Sequence, residues 1–298
     1  MNINVIKYMK IFIIISLVII GVGLLTAIFL GFNSGIDFTG GTLIQIDFGK
    51  KIAVDEIREI TDTIDKSASI VHTGDEQTEV IIRTAKSLDS EQRVEFFNLF
   101  KKKYQLTDEA LVNQRKFEAA IGNETKIKAL LSVIVATVGM LIYISIRFEF
   151  AFGIAAIIAL IHDVLIGVSV YAILRIPINS SFIAAMLTIV GYSINDTIVV
   201  FDRVRENTKL MKKESFTNIV NASVSQTLKR SINTSITTLL AIGSLYIFGV
   251  EAIKEFALPL IIGIIAGTYS SIFIASPIWY YISTKKGDIN NYNPNRLK

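Results

Sequence analysis

Uninterrupted apolar runs set the plan of this chain. The first, Ile11 to Leu30, carries no charge, and its length matches a hydrocarbon core about 30 Å thick at about 1.5 Å per helical residue. Five more runs follow Lys128: Ala129 to Ile146, Phe150 to Leu174, Ile178 to Phe201, Ser231 to Val250 and Phe256 to Ile282. Six membrane-spanning helices are expected. The last five are joined by short polar breaks at Arg147 to Glu149, Arg175 to Pro177 and Glu251 to Glu255, and by a long polar segment from Asp202 to Arg230. Lys7 and Lys10 precede the first run, as in a signal peptide. That run exceeds an h-region of about 7–15 residues and no A-x-A-like site follows, so an uncleaved anchor is expected.

Between Gly31 and Lys128 the pattern changes. Thr42 to Phe48, Thr78 to Ala85 and the shorter Ser69 to His72, which precedes the turn signal Thr73-Gly74-Asp75, read as strands. Val54, Ile57, Ile60 and Ile64 repeat at helical spacing, as do Val94, Phe97, Phe100 and Tyr104. With a last strand in Ala110 to Ile121, the order is β-α-β-β-α-β, the split βαβ or ferredoxin-like pattern. The expected division is therefore an anchor in residues 1–30, a ferredoxin-like α+β domain in 31–128, a helical bundle in 129–282 with connector 202–230, and a tail in 283–298. Phe216, Ile219, Val220, Val224 and Leu228 give the connector an apolar face, which reads as an interfacial helix on the inner leaflet.

Composition adds little until it is localised. The 298 residues are 51% apolar and 19% charged, close to a soluble average of roughly 45–50% apolar, but over half of the charge lies in 31–128. This distribution excludes a soluble globular enzyme, a disordered chain and a coiled coil. With no Cys and only His72 and His162, disulfides, thiol catalysis and a His-built metal centre are excluded, and no cofactor is expected. Lys101 to Lys103 read as a solvated helix end, not a nucleic-acid site. Basic residues fix the orientation. Lys7, Lys10, Arg147, seven Lys/Arg between Asp202 and Arg230, and Lys285, Lys286, Arg296 and Lys298 fall on one side, against Arg175 and Lys254 on the other. Both termini are thus expected in the cytoplasm, and the large domain outside.

An ionisable residue inside a span is a functional hypothesis by default, because insertion costs at least about 2.5–3.5 kcal/mol. His162 and Asp163 lie in the third span, Tyr192, Asn195 and Asp196 in the fourth, and Arg230 with Thr234 at the start of the fifth. Thr188, Tyr192 and Asn195/Asp196 share one face. Arg230, Thr234, Thr237, Ala241 and Ser244 form a stripe on the fifth span, Ala156, Ala159, Asp163 and Gly167 one on the third, and Gly263, Gly267 and Ser271 one on the sixth. These helices are expected to pack with their polar groups inward. Asp196 and Arg230 are placed to pair, with Asp196 as proton carrier and Arg230 as positional switch; a static polar cluster is the alternative. Adjacent helical residues point about 100° apart, so His162 and Asp163 are not expected to form a dyad. Asp163 suits packing or a relay, and His162 a carbonyl partner. In Gly35-Ile36-Asp37-Phe38-Thr39-Gly40-Gly41-Thr42, the glycines are expected to shape the junction with the first strand and Asp37 to cap or pair there. No Lys-Ser/Thr follows and no helix is expected to begin there, so it is no phosphate loop.

That string, and Val190-Gly191-Tyr192-Ser193-Ile194-Asn195-Asp196-Thr197-Ile198-Val199-Val200-Phe201-Asp202-Arg203-Val204-Arg205-Glu206-Asn207, resemble the SecD/SecF family of protein-export membrane proteins, its SecF members in particular. Ile161-His162-Asp163 and the Thr-rich region after Arg230 fit the same pattern, with Lys229-Arg230-Ser231 where Arg-Thr is expected. The resemblance implies a plasma-membrane role in Sec-dependent export of unfolded preprotein, driven by the proton motive force, with SecD, the SecYEG translocon and YajC as partners. It also implies one six-helix half of a unit like the resistance-nodulation-division (RND) transporters. The implied proton-linked pair is Asp196 and Arg230. Two other readings stay open: half of a small-molecule exporter, and a passive assembly subunit.

Overall fold

A computed structural model describes residues 4–74, 76–147 and 150–285. Asp75 of the expected turn, Phe148 and Glu149 of the first break, and the tail with Lys286, Arg296 and Lys298 lie outside the described residues, as do the side chains of Arg147, Glu251 and Lys285. Helix α1 (Val5–Leu30) starts where the Asn4 side chain accepts the Lys7 amide at 3.1 Å, satisfying one of the free N–H groups of a first turn.

The Gly-rich string does hold a helix, the single turn α2 (Ile36–Thr39), contrary to the sequence expectation. Gly40 and Gly41 follow with φ of 76° and 144°, and a Cβ on Gly41 would strike the Thr84 carbonyl. Only glycine takes this backbone at this approach.

The sheet domain then runs β1 (Gly41–Asp47), α3 (Val54–Thr61), β2 (Ser69–Thr73), β3 (Glu79–Thr84), α4 (Ser90–Tyr104), a 3₁₀ turn (Asp108–Ala110) and β4 (Leu111–Phe117). The strand order is β2-β3-β1-β4, every pair is antiparallel, and Ile44 stands opposite Ile82 on one side and Gln114 on the other. This is the ferredoxin-like arrangement. Ile44, Ile46, Val80 and Ile82 meet Ile57, Ile60, Phe96, Phe97 and Phe100 in one core. In α4, which opens on a reciprocal Asp89–Gln92 capping box, the buried stripe runs through Phe96, Phe97 and Phe100, and Val94 is exposed. Successive i+3 steps drift about 60° around a helix of 3.6 residues per turn, which carries Val94 off the inward face.

Helix α5 (Ala119–Arg147) begins directly after β4, so residues 119–128, expected in the sheet domain, are already part of the second long helix. It is followed by α6 (Phe150–Ile173), α7 (Ser180–Leu210), α8 (Phe216–Phe248), α9 (Glu251–Ser270), a π turn (Ser271–Ala275) and α10 (Ser276–Lys285). Among the described residues six helical columns, α9 to α10 counting as one, are long and apolar enough to cross a membrane.

The connector after Asp202 is not a separate segment. Helix α7 continues to Leu210, and α8 starts at Phe216, where the Ser215 hydroxyl accepts the Asn218 amide at 3.2 Å. The apolar face expected on a leaflet packs on protein instead. Val220 and Val224 are buried with Trp279, Phe216 lies 5.0 Å from the Trp279 ring, and that ring stacks on Phe152 at 4.5 Å. A protein groove covers this face as fully as lipid would and adds close packing.

Candidate functional site

Helix α7 is the axis of the bundle, and α9 lies hard against it. A Cβ on Gly263 would collide with Ile189, and one on Gly267 would sit 2.9 Å from the Ser193 Cβ. The small stripe on the sixth span does what its residues suggest: it lets two backbones approach. One turn further on, Ser271 at the start of the π turn shares a 2.8 Å hydrogen bond with Thr197. On the other side, Ala156, Ala159, Asp163 and Gly167 of α6 are buried as expected.

Asp196 is 4% exposed at the centre of this packing, and its Oδ2 has no hydrogen-bond partner. Its electrostatic neighbours are Arg230 and Ser235 of α8. Among the described residues no ion pair joins Asp196 to Arg230, which corrects the expected contact. Arg230 is exposed on the outer side of α8, and Ser235 also shares a 2.6 Å bond with Thr268 of α9.

The expectation that all polar groups face inward also needs correction. Thr188 and Asn195 are exposed on α7, as are Arg230, Thr237, Ala241 and Ser244 on α8. Asn195 and Asp196 diverge by the helical angle of adjacent residues, so only Asp196 enters the core. The half-buried Tyr192 links the two outward stripes, its hydroxyl donating to Thr238 at 3.1 Å. Thr234 is satisfied within its own helix, donating to the Arg230 carbonyl at 2.9 Å.

His162 and Asp163, expected to point apart, form a buried pair: Nδ1 lies 3.0 Å from Oδ1, with 7% and 1% exposure. The side chains bend toward each other across the 100° between their Cβ directions. The other ring nitrogen lies 2.8 Å from Ser16 Oγ of α1, and Asp163 Oδ2 accepts from Ser193 of α7 at 2.6 Å. His162 thus meets a hydroxyl and a carboxylate, not a carbonyl. The sequence reading missed Ser16 and Tyr269. Ser16 had a signal, as the lone hydroxyl in the run from Ile11 to Gly21. Among the described residues no three His, Asp or Glu side chains gather as metal ligands.

The second constellation is the junction. Gly35 N donates to the Ile178 carbonyl at 2.7 Å, Ile178 N to the Asn33 carbonyl at 2.8 Å, and Asp37 Oδ2 accepts the Ser180 amide at 3.0 Å, capping α7. A Cβ on Gly35 would lie 3.1 Å from that of Asn179. Above it, Arg83 of β3 pairs with Glu255 of α9 at 2.5 Å, and Asn179 donates to the same carboxylate at 2.9 Å. These groups border a cavity of about 350 Å³ between the sheet and the helix ends.

Six apolar columns, a ferredoxin-like domain inserted after the first, and carboxylates sealed in the helical core define a multi-pass membrane protein with ionisable groups at its centre. Residues 98–285 match the family described as Protein export membrane protein SecD/SecF, C-terminal, and residues 28–52, which include the junction string, match the SecD/SecF GG motif. The chain belongs to the SecD/SecF family. It is 40% identical over 290 residues to the protein translocase subunit SecF of Calditerrivibrio nitroreducens, covering 95% of each chain. With the corresponding subunit of Borreliella burgdorferi it shares 37% identity, covering 93% of this chain and 96% of that one. The crystal structure of SecDF, a translocon-associated membrane protein from Thermus thermophilus, superposes with a TM-score of 0.83 at 34% identity, covering 96% of this chain but 39% of that one.

Proposed function

We propose that this chain is the SecF subunit of a proton-driven unit that works with SecD to assist late translocation of unfolded polypeptide through SecYEG, with YajC as a further partner. The observation that carries the reading is Asp196: a carboxylate in the bundle core with one oxygen unpartnered. A proton arriving there displaces no donor, and its charge change falls between α7, α8 and α9. Arg230, on the adjoining surface of α8, acts as the positional switch: it never deprotonates, and it reaches Asp196 only when the helices move. The drive is adequate in kind, since one charge crossing 100 mV releases about 2.3 kcal/mol.

The outward stripes of α7 and α8 support the second half of the reading. Arg230, Asn195 and Thr237 are costly against lipid and suit a second helical bundle, in keeping with the 39% of the SecDF chain that this one spans. SecD is the proposed occupant. The basic excess supports a topology with both termini in the cytoplasm and the sheet domain outside, where it would meet the emerging polypeptide.

Asp196→Asn in the full complex tests the relay. Proton-driven export into vesicles is expected to fall to background while co-purification with SecD stays normal. Unchanged export with a normal complex removes the relay and leaves a passive assembly subunit; proton-coupled efflux of a small molecule by the reconstituted unit favours the exporter reading.

A further inference from the structure

The pair on α6 belongs to a longer chain of hydrogen bonds whose proton directions follow from its two ends. At one end the Tyr269 hydroxyl lies 2.7 Å from the Phe12 carbonyl. A carbonyl has no proton to give, so the phenol donates to it. The Tyr269 oxygen therefore accepts from Ser16, 3.4 Å away. Ser16 has one proton and has now used it, so its oxygen accepts at 2.8 Å from His162, and Nε2 carries a hydrogen. At the other end Ser193 donates to Asp163 Oδ2 at 2.6 Å. One line remains, Nδ1 to Oδ1 at 3.0 Å, and it holds one proton. With none, two lone pairs face each other and the buried pair is an anion. With two, two donors collide and it is a cation. With one, the pair is neutral overall, whether the proton sits on nitrogen or on oxygen.

The position of that proton matters for α7. When it is on nitrogen, Asp163 is a carboxylate and the bond from Ser193 is charge-assisted, roughly twice as strong as the neutral bond made when the proton is on oxygen. Ser193 lies three residues from Asp196, a spacing that puts side chains about 5–6 Å apart at Cβ. A negative Asp196 disfavours a second negative charge on Asp163 and pushes the proton to oxygen. A protonated Asp196 lifts that repulsion. Among the described residues, the other titratable group bonded into this chain is Tyr269 of α9, whose proton is committed to Phe12; Tyr192 of α7 is turned to Thr238, Arg230 stands on the outer side of α8, and on α1 Ser16 faces the pair while Lys7, Tyr8 and Lys10 are exposed.

We infer that His162 and Asp163 are a positioning dyad with one shared proton: loading Asp196 shifts this proton from oxygen to nitrogen and tightens Ser193, and with it α7, onto α6 and α1. No proton enters or leaves the dyad, so it senses the load without consuming it. The inference rests on Asp196 being the proton carrier.

Asp163→Asn separates this role from packing. The amide keeps both bonds, donating to a bare Nδ1 and accepting from Ser193, but it has no proton to move. Proton-driven export in vesicles is expected to fall about fivefold or more, the lower end of ordinary coupling between sites, with complex yield and thermal melting unchanged. Wild-type export in Asp163→Asn overturns the inference. If Asp196→Asn in the same vesicles leaves export intact, it is the carrier reading that fails. The dyad has its own readout in nitrogen-15 spectra of the full chain carrying His72→Gln, where His162 is the sole imidazole. Nε2 is expected to be protonated, and adding Asp196→Asn, which mimics the loaded state, is expected to move the Nδ1 signal toward the protonated form. A bare Nε2, or an Nδ1 signal indifferent to Asp196→Asn, also overturns it.

Discussion

The sheet domain and the helical bundle solve one problem in opposite solvents. In the sheet domain Phe100, Ile46 and Ile57 are fully buried and charge faces outward. In the bundle Leu131, Ile146 and Phe29 are 56%, 82% and 80% exposed, while Asp163, Asp196, Ser193 and Ser271 are sealed inside. Water drives apolar groups inward in the first region. Lipid offers no such drive in the second, so small residues and hydrogen bonds hold the helices together. Burial is therefore informative in opposite ways: a buried Phe in the sheet domain reports stability, and a buried Asp in the bundle marks a candidate site.

The sharpest way to break this comparison is to place the same charge on the exposed face of each region. Leu131→Asp on α5 is expected to cost at least about 2.5–3.5 kcal/mol of membrane insertion, read by the fraction of chains in which α5 spans. Val94→Asp, at a similarly exposed position on α4, is expected to stay within about 0.5 kcal/mol by thermal melting. Equal effects at the two sites would mean that α5 does not face lipid.

The next effect belongs to the seam between the regions. Arg83 and Glu255 pair with only 22% and 21% of their side chains exposed. Arg83→Glu and Glu255→Arg are each expected to loosen the sheet domain on α9, and the double exchange to recover part of the loss. A coupling of about 0.5–3 kcal/mol is typical of side chains in contact, read here by the distance between spin labels on β3 and α9. Independent effects of the two changes would show that the seam does not depend on this pair and rests on the junction bonds of Gly35 to Ile178 and of Ser180 to Asp37.

The smallest effect lies within the sheet domain. Asp65 is partly buried, which raises its pKa, but hydrogen bonds from Ser67, Thr84 and the backbone outweigh burial and hold it below the ordinary carboxylate value. Its folded value being depressed, it contributes stability that is full above the unfolded pKa of about 3.9 and lost as the pH falls through the lower folded value. Asp65→Asn is expected to flatten the acid dependence of hydrogen exchange in β1 and β3 below about pH 4 and to leave α6 and α7 untouched. A matching change in the bundle would tie the two regions more tightly than the seam suggests.

Sequence alone determined the six spans, the β-α-β-β-α-β order and the identity of the intramembrane polar residues, because each is written in local periodicity and in runs of hydropathy. It also determined the small stripe of Gly263, Gly267 and Ser271, which lets α9 and α7 approach closely. Tertiary structure decided partnership. Asn195 and Asp196 differ by one position yet face opposite environments. Arg230 neighbours Asp196 without forming an ion pair with it, the apolar face after Phe216 is covered by Trp279 and not by lipid, and His162 joins Asp163 against the angle of their backbone bonds. Helical phase says which way a Cβ points. A hydrogen bond also depends on how far a side chain bends and on what a distant segment such as Ser16 brings to meet it, and that is settled only when the helices pack.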